Sequence, residues 1–417
     1  MTSTDSTAHH LDDGYADTSD QRFRIGEHTV AATDPAFGQH LTAARAAKTR
    51  PLCACTAAGV PMYIARTATS GLIVKRMPDT GSTHDPDCSS YEPPAELSGL
   101  AQVAGQAIDE QPDTTMLRLG FALSSGGGAA PPPPSDTEPT VATADPAKLT
   151  LRGLLHYLWD EAGLTRWSAN MTGRRNWAVV HHRLTAAAEG KTAKRAPLAA
   201  SVYVPEPFRV SDKDDIIARR KHRFREFAPA KGSRSQKLML VVAEVKEFGP
   251  ARFGHKAVLK QVPDTALMIE EKLFGKIGKT FAAALEMWES IEGSHLILAG
   301  TAKVGPTGWA SLEQVVLMCT TAQWIPVDTG AELELLDSLT GHDRSFVRSL
   351  RYNLPRTTPL AAATLTDTDP VTALCIADTA AGEESGPVDE LVAGSSIASW
   401  IWDTADPLPS LPTRSNH

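Results

Sequence analysis

Four soft ligands near the start of the chain restrict its folding more than any other feature. Cys53-Ala-Cys55 supplies two thiols, and after 28 intervening residues His84-Asp-Pro-Asp-Cys88 supplies an imidazole and a third thiol. Structural zinc takes such thiolates and imidazoles in a closed tetrahedron. Between the pairs, GVPMYIARTATSGLIVKRM holds two β-rich runs, Val60–Arg66 and Leu72–Arg76, split by a Gly/Ser/Thr turn. A hairpin there would bring the second pair back to the first. Free cysteine usually hides in apolar cores, whereas both pairs lie in turn-prone sequence. We therefore expect Cys53, Cys55, His84 and Cys88 to hold one structural zinc ion. A metal would also supply folding energy to a short, turn-rich segment. Cys319 and Cys375 lie in apolar runs and are expected to be core thiols.

Five cysteines in 417 residues do not make a disulfide framework, so a reducing compartment is expected. The first 30 residues lack the apolar stretch of a signal peptide. The longest apolar runs, such as LMLVVAEV from Leu238, fall far short of the ~20 residues a membrane helix needs. The expectation is a cytoplasmic protein without membrane contact. A net charge of −8 excludes a uniformly basic coat but allows a local basic face.

Composition divides the chain. Residues 1–20 are polar and expected to be disordered, and 21–122 form the zinc-binding, β-rich module. Residues 123–146, with SSGGGAAPPPPSDTEPTVATADP, read as a Gly/Pro-rich linker. Residues 147–235 read as a helical, basic segment. Its helical periodicity is clearest in LTLRGLLHYLWDEAGL and RRNWAVVHHRLTAAAEG. Residues 236–379 read as an α/β domain and 380–417 as a flexible tail carrying Trp400 and Trp402. The fold class expected is α+β.

Several stretches occur together in one order: Cys53-Ala-Cys55, VKRMPDTGSTHDPDCSSYEPP, LRGLLHYLWDEAGLTRW, GRRNWAVVHHRL, EVKEFGPARFGHKAVLK and FVRSLRYNLP. On these, the chain resembles a domain-of-unknown-function family of bacterial proteins with three N-terminal cysteines. That family is commonly encoded on plasmids and integrated genomic islands. The resemblance spans roughly residues 20–380. It implies no activity, only an association with mobile-element biology and hence with DNA maintenance or transfer.

The sharpest catalytic candidate is Glu244-Val-Lys246, at the end of a strand-like run. In PD-(D/E)xK nucleases such a pair shares one strand face, the carboxylate holding Mg²⁺ and the lysine steadying charge. Asp214 or Asp215 could complete it. Alternating charges on a solvated strand look the same, so the spacing alone is weak. Glu332, FVRSLRYNLP and Asp367 follow the same superfamily's order without an E-x-K, a degenerate version at best.

Nucleic-acid binding has broader support. Ten Lys/Arg fall between Arg209 and Lys237. Arg174, Arg175, Arg219, Arg220, Lys221, Arg223 and Arg225 are the expected phosphate contacts. Nearby Asp212, Asp214, Asp215 and Glu226 could instead neutralise them. No Walker loop and no G-x-S-x-G elbow occur. The expectation is a zinc-containing DNA-binding or DNA-processing accessory protein of a mobile element. An Mg-dependent nuclease and a non-catalytic adaptor with a protein partner are the rivals.

Overall fold

The computed structural model describes residues 21–67, 71–111, 114–126, 145–230, 232–382 and 385–415. The expected disorder at 1–20 and most of the expected linker lie outside these residues. The chain is a mixed α+β protein. No helix among the described residues is long and apolar enough to cross a membrane.

The N-terminal part is an antiparallel sheet of β1 (Arg22–Ile25), β2 (His28–Ala31), β3 (Leu52–Cys53), β4 (Val60–Thr67) and β5 (Gly71–Arg76). The order is β2-β1-β3-β4-β5, and β4–β5 is the hairpin expected from the sequence. Helix α1 (Phe37–Ala46) covers the sheet with Leu41 and Ala44. This core contains eight buried apolar side chains, two of them Cys53 and Cys88, which is small for independent stability.

The next core is built from helices. In α2 (Leu151–Glu161), Leu151, Leu154, Leu155 and Leu158 are all buried, and Thr150 caps its N-terminus by accepting from the Gly153 amide. Helix α3 (Trp177–Ala188) is capped the same way by Asn176. Both pack against strands that follow residue 235, since Leu240, Val242, Ile297 and Tyr352 join this core. The expected boundary at 235/236 therefore does not separate two cores. Helix α4 (Lys213–Arg225) carries the basic run.

His156 of α2 is 4% exposed, and its Nδ1 accepts the Tyr352 amide at 3.0 Å. Burial pushes its pKa down to about 3. The folded chain keeps this imidazole neutral, while the unfolded chain protonates it near its ordinary 6.5. This contribution to stability is complete above about pH 6.5 and is lost as pH falls toward 3. Between pH 7 and 5 the wild type should lose about 2 kcal/mol more than His156→Asn in urea unfolding. Parallel pH profiles would refute the assignment.

Five strands then close on themselves. They are β6 (Met239–Pro250), β7 (His255–Leu259), β8 (Val262–Ile269), β9 (His295–Val304) and β10 (Ala310–Thr320). Helices α5 (Glu271–Thr280) and α6 (Ala282–Ser290) lie between β8 and β9. The pairing runs β6-β7-β8-β10-β9 and back to β6, and only β8–β10 is parallel. Counted along the barrel the order is one-two-three-five-four-one, with helices between strands three and four. That is the connectivity of the OB fold, a five-stranded Greek-key barrel. Met239, Val241, Ala243 and Val245 of β6 point into the barrel with Leu296 and Leu298 of β9. The alternate residues Leu240, Val242, Ile297 and Ala299 face the helices. Both faces of β6 and β9 are thus covered, which explains their unbroken apolar runs.

The last sheet holds β11 (Phe346–Arg348), β12 (Ala363–Leu365), β13 (Thr372–Ala377) and β14 (Ala398–Asp403), with Arg166–Trp167 at its other edge. Helix α7 (Gly330–Gly341) packs on this sheet, and α8 (Gly386–Gly394) lies beside β13. The expected flexible tail therefore contains ordered structure. β14 pairs in parallel with β13 over six residues, and Trp402 is 3% exposed, its indole N–H donating to the Asp406 carbonyl. Burying so large an aromatic outweighs the loop-like composition around it. Cys319 and Cys375 are both buried, and burial pushes their thiols up to about 12 and 11.

Candidate metal centre

Cys53 ends β3, where it pairs with Phe23 on one side and Val60 on the other. The chain then turns through Cys55 to Gly59, whose φ of +78° suits glycine. A Cβ at Gly59 would also meet Arg24 Nη2 at 2.5 Å. His84 follows a short 3₁₀ turn, Gly81–Thr83, and the Cys88 amide donates to the Asp85 carbonyl at 2.8 Å. The Asp85 side chain accepts the Asp87 amide, so it shapes the turn rather than offering a ligand.

These turns bring the four ligand atoms within 4.8 Å of one another. The Cys53 and Cys88 sulfurs are 3.6 Å apart, Cys55 Sγ lies 3.3 Å from His84 Nδ1, and Cys88 Sγ lies 3.7 Å from it. One ion could touch all four. Gln21 Nε2 lies 3.8 Å and 3.9 Å from the Cys53 and Cys88 sulfurs, and the Ser90 amide donates to Cys88 at 3.4 Å. Such donors steady thiolates around an ion. The hydrogen bond from Cys88 holds the Cys53 thiol well below its usual range, and the same bond pushes Cys88 up. Burial raises Cys55. Three thiolates this close would repel one another, a repulsion that a shared cation relieves.

The other expected sites are not assembled. Glu244 is 2% exposed, and its carboxylate accepts from Lys260 at 2.8 Å, Gln261 at 2.8 Å and His295 Nδ1 at 2.6 Å. These bonds hold its pKa down against the cost of burial. Lys246 does not join it: a β-bulge between Val245 and Glu247 interrupts the alternation, and Lys246 is exposed. Asp214 and Asp215 are exposed on α4, and among the described residues the only metal-competent group is the Cys/His cluster. Glu332 pairs with Arg348 at 2.6 Å, and Asp367 with Arg344 at 2.8 Å.

The basic residues expected to meet phosphate divide into three sets. Arg175 is 7% exposed and donates to the Leu164 and Arg166 carbonyls. Arg220 is 6% exposed and forms a two-bonded pair with Asp264, at 2.9 and 2.6 Å. Neither can reach DNA. Arg219 is held by Glu206, and Arg223 by Glu226 and two carbonyls. Arg174, Lys221 and Arg225 are exposed.

A charged cleft of about 280 Å³ escaped the sequence reading. Its walls include Lys75, Arg76, Glu92, Asp160, Glu161 and Arg348. Three of the motif stretches therefore meet here, the first through both Lys75-Arg76 and Ser89–Pro94, the others through Asp160–Arg166 and Val347–Leu350. Arg76 pairs with Glu92 at 2.5 Å, Lys191 with Glu161, and the Tyr352 hydroxyl donates to Asp160 at 2.8 Å. The first pair lies within the N-terminal part and the other two tie α2 to later segments of the chain; across the cleft Lys75 and Arg76 of β5 face Glu161, and together with Lys191 they hold its pKa down against the cost of burial.

The family model covering residues 23–405 matches nearly this whole architecture. The chain belongs to DUF1173, a family of proteins of unknown function. No curated protein and no solved structure matches it significantly. Membership in DUF1173 thus places the chain among relatives without assigning an activity.

Proposed function

We propose that the chain is a DNA-binding accessory protein of a mobile genetic element, with its N-terminal sheet fastened by structural zinc. Zinc suits the donor set. With Zn–S near 2.3 Å and Zn–N near 2.0 Å, tetrahedral edges should be about 3.8 Å between sulfurs and about 3.5 Å from sulfur to nitrogen. The separations of 3.6, 3.3 and 3.7 Å are close to that. Three thiols and one imidazole leave no position for substrate, so the role is structural.

The observation that carries DNA binding is the barrel β6–β10. Its connectivity recurs in modules that grip oligonucleotides across strands two and three. This is an argument from fold analogy, and the exposed Arg174, Lys221 and Arg225 agree with it. The nuclease rival loses support because Glu244 is already occupied by Lys260, Gln261 and His295.

The test is fluorescence anisotropy of the purified chain with labelled DNA, single-stranded and duplex, at rising salt. Binding should weaken steeply, with a log–log slope of roughly −0.7 to −0.9 per neutralised phosphate. No binding to either form would defeat the proposal and leave a protein adaptor. Mg²⁺-dependent cleavage abolished by Glu244→Ala would restore the nuclease.

A further inference from the structure

The barrel displays two large aromatic side chains that the fold leaves in water. Phe253, 79% exposed, lies in the loop joining β6 to β7, and Trp309, 52% exposed, ends the loop joining β9 to β10. Stable chains usually bury such side chains.

Strand register places both beside one face. Ala310 pairs with Leu267, Leu267 with Ala257, and Ala257 with Phe248. Trp309 therefore flanks β8 from the β10 side, and the Phe253 loop opens from the β6–β7 side. At ~4.8 Å between neighbouring strands, this row spans about 14 Å.

Both loops are fixed. The Gly305 amide donates to the Trp309 carbonyl at 2.8 Å, and a Cβ on Gly305 would come within 2.6 Å of the indole. The ring thus lies against bare backbone. Gly254, at φ +72°, sits so close to β8 that a Cβ would meet the Ile269 carbonyl at 2.6 Å.

Cations surround the Phe253 loop. The Arg252 guanidinium lies 5.4 Å from the Phe253 ring centre. Lys256 follows on β7. Lys272, Lys276 and Lys279 recur on α5 at the spacing of one helix face. α5 is anchored beside β7 by His255, which stacks on Phe274 at 3.7 Å. The exposed acids on these elements are Glu247 on β6, Asp264 on β8, which Arg220 pairs, and Glu270 and Glu271, of which Glu271 contacts His255 at 3.3 Å.

We infer that the β7–β8 face, between Phe253 and Trp309, binds single-stranded nucleic acid. This rests on the nucleic-acid reading above and names its surface and substrate class. Exposed rings at both margins offer faces on which unpaired bases stack, and the lysines follow the phosphates. A duplex keeps its bases stacked internally and cannot use the rings.

The test uses the full, zinc-loaded chain and a labelled oligothymidylate of about 20 nucleotides, long enough for one such site. The single strand should bind more tightly than a duplex of equal length. Phe253→Ala with Trp309→Ala should weaken it at least about thirty-fold, since each lost stack is worth a factor of about five or more. Both residues are exposed, so unchanged circular dichroism should confirm folding. Undiminished binding by the folded double variant, or preference for duplex, overturns this inference and leaves DNA binding standing. Loss on Lys221→Glu and Arg225→Glu alone would place the site on α4 and also overturn it. Binding of neither form overturns both readings.

Discussion

Cys88→Ser should reduce bound zinc from one per chain to a small fraction of that and unfold the N-terminal sheet. Cys88 is 8% exposed and contacts both Cys53 and His84, so no solvent ligand can replace it without rearrangement. The sheet's core has only eight buried apolar side chains, two of them ligands. Structural zinc sites contribute on the order of 10–16 kcal/mol of apparent binding energy at neutral pH, more than such a core supplies. The barrel and the α2–α3 core contain none of the four ligands. Hydrogen exchange should therefore accelerate by orders of magnitude across residues 21–92 and change far less across 239–320. Elemental analysis showing one zinc per chain in the variant, with unchanged exchange, would sink the assignment.

The metal ligands were legible because thiols and imidazoles are scarce and both pairs flank a recognisable hairpin. Helices α2 and α3 were legible from leucine spacing and clear stops. The barrel was not. Its closure depends on β6 pairing with β9 across the helices α5 and α6, and local pattern carries no record of such a contact. Strand β8 begins Val-Pro-Asp-Thr, poor strand sequence that gives little local signal of a strand. Charge was visible along α4, as was the neighbouring Glu226 that pairs with Arg223, but the distant partners were not. Asp264 lies 44 residues from Arg220 and decides whether that guanidinium is free. The Glu244-x-Lys246 pattern failed for a similar reason: one bulge removes the lysine, and Lys260 arrives from the next turn.

Arg348→Ala should destabilise the chain by about 3–5 kcal/mol, more than loss of any exposed arginine on α4. Its side chain is 2% exposed and that of Glu332 is 7%. Besides the 2.6 Å pair, Arg348 donates to the carbonyls of Pro326, Ser349 and Ala362. Removing it strands a buried carboxylate and leaves three acceptors without this donor, the costly half of a buried ion pair. Glu332 also accepts the Asp328 amide at 2.7 Å, so Glu332→Gln should cost less, keeping that acceptor and shedding the charge. Adding Glu332→Gln to Arg348→Ala should recover part of the loss, because the stranded charge disappears. Equilibrium urea unfolding of the four proteins measures this coupling. A metal-binding role for Glu332 predicts the opposite ranking: Arg348→Ala nearly neutral for stability, and divalent cations stabilising it. That result would revive the nuclease reading of α7 and β11–β12, which the observed pairing of both acids with arginine otherwise explains as architecture.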